Sequence, residues 1–373
     1  MKTLSDVCEV YSGYALKEFN EYGDGLPVIK IGNIMADGSL VLDNCQYTSE
    51  IVNAKYLSQK GDIYVALSGA TTGKIGILET DDTHVINQRV GIVRRTDDNV
   101  PYEYIKYFLL RQTERILKEA AGCAQPNISP KQIAAYEIPD ISKAKMLEES
   151  TILDSITSII NQRKVELQRL DELINARFVE MSSEWNTQEK PLCNYLNEIT
   201  YGFTNPMPDS ENGPWKITAK DVVDGRINFA TARKTTQESF DALTAKSKPV
   251  IGDVLLTKDG TLGRTAIVED NGICVNQSVA VLRCNDHVIP RFLSLLLQLP
   301  EYQREMTKNS GGGTIKHIYI TKVDKMLVKI PAINEQLRFI RFVEHVDKSK
   351  VEVQKTLEET QLLFDSLMQE YFG

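Results

Sequence analysis

Short apolar runs separated by turn residues dominate the first hundred positions. Val28–Ile31 and Leu40–Leu42 flank Asp37-Gly38, a spacing that predicts strand, turn, strand. Ile63–Leu67, Ile75–Leu78 and Val90–Val93 predict three more strands, with Gly69–Gly73 as a loop between the first two. The period then changes. From Pro101, the residues Ile105, Phe108, Leu109, Ile116 and Leu117 share one helical face. Proline suits a first turn, and Gly122 suits the helix end. The stretch from Pro290 repeats this with Phe292, Leu293, Leu296, Leu297 and Gly311.

Two longer stretches space their apolar residues by three and four. The first runs Leu153, Ile156, Ile160, Leu167, Leu170, Ile174, Met181, its register passing through Arg163 and Arg177. The second runs Phe339, Val343, Val346, Val353, Leu357, Phe364, Leu367, interrupted by Lys350 and Thr360. Heptad-like spacing of this kind predicts a coiled-coil seam. The plainer alternative is a helix packed on its own domain. The length of both stretches, their charged outer faces and their matching placement favour the seam.

The chain also repeats itself. Ile86–Arg94 and Val275–Arg283 align at an offset of 189 residues, as do Pro101 with Pro290 and Gly122 with Gly311. Gly61-Asp62-Ile63 pairs with Gly252-Asp253-Val254 at 191, and Pro27 with Pro214 and Asp37-Gly38 with Asp224-Gly225 at 187. Lys164–Gln168 pairs with Lys350–Gln354 at 186. A period this long is a duplicated domain rather than a solenoid. The expected fold is therefore α+β: two similar mixed α/β domains, each followed by a long helix, the helices pairing as an antiparallel coiled coil with pseudo-two-fold symmetry. The expected boundaries are 1–143, 144–186 (helix), 187–331 and 332–373 (helix).

Composition narrows the class. With 42% hydrophobic and 25% charged residues in 373, ordinary packed cores are expected. No apolar run is long enough for a membrane span, and the N-terminus lacks a signal-like stretch, so a cytoplasmic location is expected. Six cysteines without a C-x-x-C pair and four scattered histidines predict neither a zinc site nor a disulfide framework. The net charge of −8 disfavours a stand-alone tight DNA binder, yet much of the acid lies in the two long helices while several loops are basic. That balance fits a subunit that shares DNA with other proteins.

Candidate chemistry lies in the loops. Gly69-Ala-Thr-Thr-Gly73-Lys74 is one residue too short for a phosphate-binding P-loop and has Ile75 where Ser or Thr is needed. Its counterpart Lys258-Asp-Gly-Thr-Leu-Gly-Arg264 fails likewise. Both offer amides, hydroxyls and a cation suited to DNA, or simply turn the chain. Asn87-Gln88 and Asn276-Gln277 carry amides able to read adenine. Their presence in both halves favours a structural role, because the halves should read different bases. Residues that differ between halves should carry specificity: Lys30 and Asn33 against Lys216 and Lys220, and Gln125-Pro-Asn127 against Lys316-His317-Ile-Tyr319. Ser310–Thr314 is a flexible loop able to close on DNA. A methyltransferase would need paired prolines and an aromatic, which Asn205-Pro-Met-Pro208 lacks; a nuclease would need an assembled Asp…Glu-x-Lys set, which Pro139-Asp140 and Glu189-Lys190 do not provide.

Over its whole length the chain resembles the specificity (S) subunit of type I restriction–modification systems. The landmarks are Leu4–Val7, Ser12-Gly13, Gly61-Asp62-Ile63, Ser68–Ile75, Ile86-Asn-Gln88, Ile128-Ser129…Ile138-Pro139 and Ile320-Thr321…Ile330–Gln336, in order. Two departures stand out: Lys145–Glu149 replaces the Glu-Gln of 335–336, and Tyr201-Gly-Phe-Thr204 replaces the Ser-Gly start. The resemblance implies target-recognition domains that bind double-stranded DNA, no catalysis, two methyltransferase (M) subunits and usually restriction (R) subunits as partners, and no cofactor, S-adenosylmethionine belonging to the M subunits. The DNA-facing set expected here is Lys30, Asn33, Ser68, Thr71, Thr72, Lys74, Gln125, Asn127, Lys216, Lys220, Lys258, Thr261, Arg264, Lys316 and His317. The seam set is Leu153, Ile160, Leu167, Ile174, Val346, Val353, Leu357 and Phe364. Residues 147–181 as one helix would span ~52 Å, on the order of 15 base pairs, which implies a split, asymmetric target. A non-DNA scaffold and a specificity subunit of a fused restriction–methyltransferase system remain the alternatives.

Overall fold

The computed structural model describes residues 2–20, 23–35, 38–121, 126–223, 225–308 and 317–373. The chain forms two compact units, Met1–Lys164 with Lys355–Gly373, and Val165–Gln354.

In unit 1 the strands Cys8–Ser12, Val90–Arg95, Ile63–Ala66 and Ile75–Ile77 lie side by side in that order, all antiparallel. A second sheet orders Gln46–Thr48, Leu26–Ile29 and Val85–Ile86, the last two parallel. Unit 2 repeats both sheets. Its first orders Leu196–Tyr201, Val279–Cys284, Val254–Thr257 and Thr265–Ile267; its second orders Arg233–Lys234, Ser210–Ile217 and Ile273–Val275. Each unit is also tied at its base: Lys2–Thr3 pairs with Glu137–Ile138, and Lys190–Pro191 with Leu327–Val328.

The four-stranded sheets are covered on both faces, so their central strands read as continuous apolar runs rather than alternating ones. Side chains still alternate: Ile63 and Val65 enter the core shared with the helices, while Tyr64 and Ala66 enter the core under the small sheet. Val254 and Leu256 against Leu255 do the same in unit 2.

Two element expectations need correction. The strand expected at Val28–Ile31 ends at Ile29, and Leu40–Leu42 forms only a single bridge, Ile34 with Leu40. The Asn33 amide there donates to the Val41 carbonyl, which withdraws that carbonyl from a ladder. At the corresponding place in unit 2 a hairpin does form, Val222–Val223 pairing with Arg226–Ile227. The helix from Pro101 is two helices, Tyr102–Arg111 and Thr113–Ala120; the Thr113 hydroxyl donates to the Leu110 carbonyl at the break. In unit 2, Pro300 imposes the corresponding break between Pro290–Gln298 and Pro300–Thr307. Gly122 and Gly311, expected to end these helices, and the turn residues Asp37 and Asp224 lie outside the described residues.

The spacer helices are Lys143–Glu184 and Ile333–Phe372. Every position named along the two seams is buried or half-buried, including Arg163, Arg177, Lys350 and Thr360. In unit 1, Met146 and Leu153 share a core with Met368 and Phe372, and Phe364 edges the Tyr107 ring at 6.2 Å. In unit 2, Phe178 and Met181 pack with Phe339, Ile340 and Val343. There Lys350 pairs with Asp171, and the Arg177 guanidinium lies 5.7 Å from the Phe342 ring centre, so the segments run antiparallel within that unit. The burial pattern of the two helices coincides at an offset of 190, matching 146 to 336, 153 to 343, 156 to 346 and 178 to 368. The lookalike segments 164–168 and 350–354 are therefore one helical turn out of structural register.

Candidate functional site

One corner of each unit gathers four segments. In unit 1 they are the loop 68–74, the turn 87–89, the short 3₁₀ helix Ile31–Asn33 and the segment 126–128. Leu67 N–H donates to the Arg89 carbonyl, Ile128 N–H to the Leu67 carbonyl, and Gly69 N–H to the Pro126 carbonyl. Unit 2 builds the same corner. Lys258 N–H donates to the Ser278 carbonyl and Ile318 N–H to the Lys258 carbonyl, and Thr261 Oγ1 reaches the Ala219 carbonyl of the 3₁₀ helix Ala219–Asp221. Gly73 and Gly263 close the two loops at φ +83° and +78°, a region that favours glycine.

The corner's base rests on a glycine in each unit. A Cβ on Gly13 would stand 2.3 Å from the Ile86 carbonyl oxygen, and one on Gly202 would stand 1.7 Å from that of Val275. Gly202 is thus the counterpart of Gly13, and of the Ser-Gly start only the serine is missing from the second half. Behind the corner, Arg94 grips buried Asp62 through Nε (2.8 Å) and Nη2 (2.6 Å), and Arg283 grips Asp253 likewise (2.9 and 2.7 Å). Both pairs stand in segments that the repeat had matched, but their ion pairing was not evident from the sequence.

The corner sorts the residues expected at DNA. Asn33 accepts the Lys30 N–H at 2.8 Å, just as Asp221 accepts the Thr218 N–H at 2.9 Å. Structurally, then, Lys30 corresponds to Thr218 and Asn33 to Asp221, not to Lys216 and Lys220. The Lys30 ammonium bonds Gln46 and sits 3.5 Å from the Phe19 ring centre; burial holds its pKa below the ordinary lysine value. The Lys216 ammonium bonds the carbonyls of Met207 and Pro208 and the Asp209 carboxylate. Lys258 is buried against Asp259 at 3.0 Å. Thr72 is buried and holds the loop through the Gly69 carbonyl, and the Thr71 hydroxyl is buried without a hydrogen-bond partner among the described residues.

Ser68, Lys74, Asn127, Lys220, Thr261 and Arg264 are half-buried or exposed at the corner. His317 is partly exposed and bonds Asp259 through Nδ1. Gln125, Lys316 and the whole of Ser310–Thr314 lie outside the described residues. Asn87 and Asn276 turn their amide oxygens onto their own turns, accepting the N–H of Arg89 and of Ser278. The adjacent Gln88, Arg89 and Gln277 are exposed. Arg89 was overlooked in the sequence, although it is the one cation of a matched segment that the other half replaces, with Ser278.

Each corner can therefore present a small set of hydroxyls, amides and cations on a rigid frame, alike in backbone and different in side chains. The family model described as type I restriction modification DNA specificity domain matches residues 1–171 and 207–361. The EcoBI type I restriction enzyme specificity subunit of Escherichia coli is 23% identical over 412 residues, covering 99% of this chain and 84% of that one. A chain solved in work on complex assembly and conformational transition of the type I R-M system superposes with a TM-score of 0.63 at 15% identity, covering 100% and 96% of the two chains. The type I S subunit from M. genitalium superposes at 0.55 with 14% identity, covering 100% and 95%. This duplicated chain, with its two equivalent corners and two long helices, belongs to the family of type I restriction–modification DNA specificity subunits.

Proposed function

We propose that each unit reads one half of a split, asymmetric double-stranded DNA target through its corner, and that the spacer helices set the interval between the halves. The observation that carries this reading is the corner itself, built twice on one backbone plan with different exposed or half-buried groups: Lys74, Arg89 and Asn127 in one unit, Lys220, Arg264 and His317 in the other. One frame with two side-chain sets yields two different half-sites.

In this reading the chain has no catalysis and no cofactor of its own. It delivers DNA to two methyltransferase (M) subunits, which bind S-adenosylmethionine, and to restriction (R) subunits. Exposed apolar side chains along the spacer helices support protein partners there. Ile152, Ile159, Leu362 and Leu363 stand out from the unit 1 segments, and Leu173, Val179 and Val351 from those of unit 2. An acidic chain that shares DNA with partners also accounts for the net charge of −8.

The test is a retention assay with duplex DNA, with and without the cognate M subunits, across salt concentrations. The complex should bind with a steep loss of affinity between 50 and 200 mM salt, about 10³-fold or more for six phosphate contacts. The chain alone should neither methylate nor cleave. DNA affinity of the complex that is indifferent to salt and to removal of this chain would leave a protein scaffold as the better account.

A further inference from the structure

The two corners share one bridge at which loop and exit segment meet. In unit 1 it joins Ser68 to Asn127; in unit 2 it joins Asp259 to His317. The flanking hydrogen bonds are the same, Ile128 to Leu67 and Ile318 to Lys258, so the positions are structurally equivalent. Their chemistry is not. Unit 1 places Leu67, Ser68 and Asn127 there; unit 2 places Lys258, Asp259 and His317, linked through the Asp259 carboxylate.

The triad is not needed for folding the corner, because the sister unit holds the same backbone with uncharged side chains. Burying the Lys258 ammonium beside a half-buried Asp259 costs desolvation that the Leu67–Ser68 pair avoids. Asp259 accepts from Lys258 Nζ through Oδ2 and bonds His317 Nδ1 through Oδ1. A carboxylate is an acceptor only, so the imidazole proton sits on Nδ1. In that tautomer Nε2 is the ring's acceptor position, and it makes no hydrogen bond among the described residues. Tyr319 meets the ring edge-on at 4.8 Å and fixes its tilt.

We propose that this bridge pair is a specificity-determining position in each unit: in unit 2, Nε2 of His317 accepts a hydrogen bond from an exocyclic amino group of adenine or cytosine, and in unit 1 the Asn127 amide, able to donate and accept, occupies the same place. Major-groove amino groups occur on those two bases alone. Lys258 and Asp259 are positioning residues for the ring. This inference rests on the DNA-reading function proposed above.

The experiment maps genomic methylation in cells that carry the cognate M subunits. The chain is supplied as wild type, as the double variant Asp259→Ser/His317→Asn, as the reciprocal Ser68→Asp/Asn127→His, and as His317→Phe. Wild type should give a split motif. The unit 2 exchange should change the base accepted at one position of one half-site, and the unit 1 exchange one position of the other. His317→Phe keeps the ring and removes the acceptor, so that same unit 2 position should become degenerate, with discrimination falling roughly tenfold or more. If a double exchange abolishes methylation, His317→Phe decides for unit 2. Motifs unchanged in the variants, with a split motif in wild type, overturn this inference alone. Methylation that does not depend on the chain at all overturns the DNA-reading function beneath it.

Discussion

Arg94 and Arg283 each close a guanidinium fork on an aspartate that is 2% exposed. Truncating one partner of such a pair strands the other in a poorly solvated site. Asp62→Ala should cost about 3–5 kcal/mol, seen as a lower urea midpoint for unit 1; a midpoint within experimental error of wild type would show the fork to be idle. Glu149 gives a pH signature. It lies buried beneath the helices of unit 1, with Oε2 lacking a hydrogen-bond partner. Burial raises its pKa above the ordinary glutamate value, partly opposed by Lys145 at 3.8 Å. The folded protein therefore holds this proton to higher pH than the unfolded chain. Stability from Glu149 is fully present below the unfolded-state pKa and is lost as pH rises through the folded one. Glu149→Gln should raise the melting temperature at pH 8 and leave it unchanged at acid pH; equal effects at both would contradict the assignment. None of these partnerships was legible in the sequence, since Asp62 and Arg94 meet only through the sheet register. Likewise Lys30, Lys216 and Lys258 look like free cations in a loop-rich sequence, and only tertiary packing shows their ammonium groups engaged inside their own units.

At the scale of elements, periodicity carried most of the information. The positions expected along the seam, Leu153, Ile160, Leu167, Ile174, Val346, Val353, Leu357 and Phe364, are buried or half-buried throughout, because a helix exposes its period directly in the sequence. Residue likeness did less well. The segments 164–168 and 350–354 match in letters but sit one turn apart, since exposed helix positions tolerate any charged or small residue. Phe339 shows where the energy lies: it is fully buried and meets Phe178 and Phe292 at 5.5 and 5.9 Å. Phe339→Ala should destabilise unit 2 by about 3–5 kcal/mol in chemical denaturation. A loss under ~1 kcal/mol would mean that the site collapses around the gap. The missing Leu40–Leu42 strand has a different cause: a single amide, on Asn33, outcompetes the ladder for the Val41 carbonyl.

For the whole molecule, the duplication was legible because glycines and buried strand residues recur under steric compulsion, as at Gly61 and Gly252, both at positive φ, whereas the match of Gly13 with Gly202 emerges only from the structure. The corner was legible only in outline, because surface side chains are free to differ and their partners are remote in sequence. Its solvent-facing cations, of which Arg264 makes only a 3.5 Å bond from Nη1 to the Val222 carbonyl, should act on DNA through phosphate charge. Lys74→Ala, Arg89→Ala and Arg264→Ala should each weaken binding by the M-containing complex and lower the salt slope by about 1. Lys216→Ala should leave that slope unaltered, its ammonium being bound to three acceptors within the unit.

The central claim is that two independent reading corners share one chain, and a single exchange addresses it. Residues 1–140 are replaced by the corresponding segment of another specificity subunit, and genomic methylation is mapped in cells that supply the M subunits. One half of the split motif should change, while the other half and the interval between them stay as they were. A motif altered in both halves, or in neither, would contradict the claim.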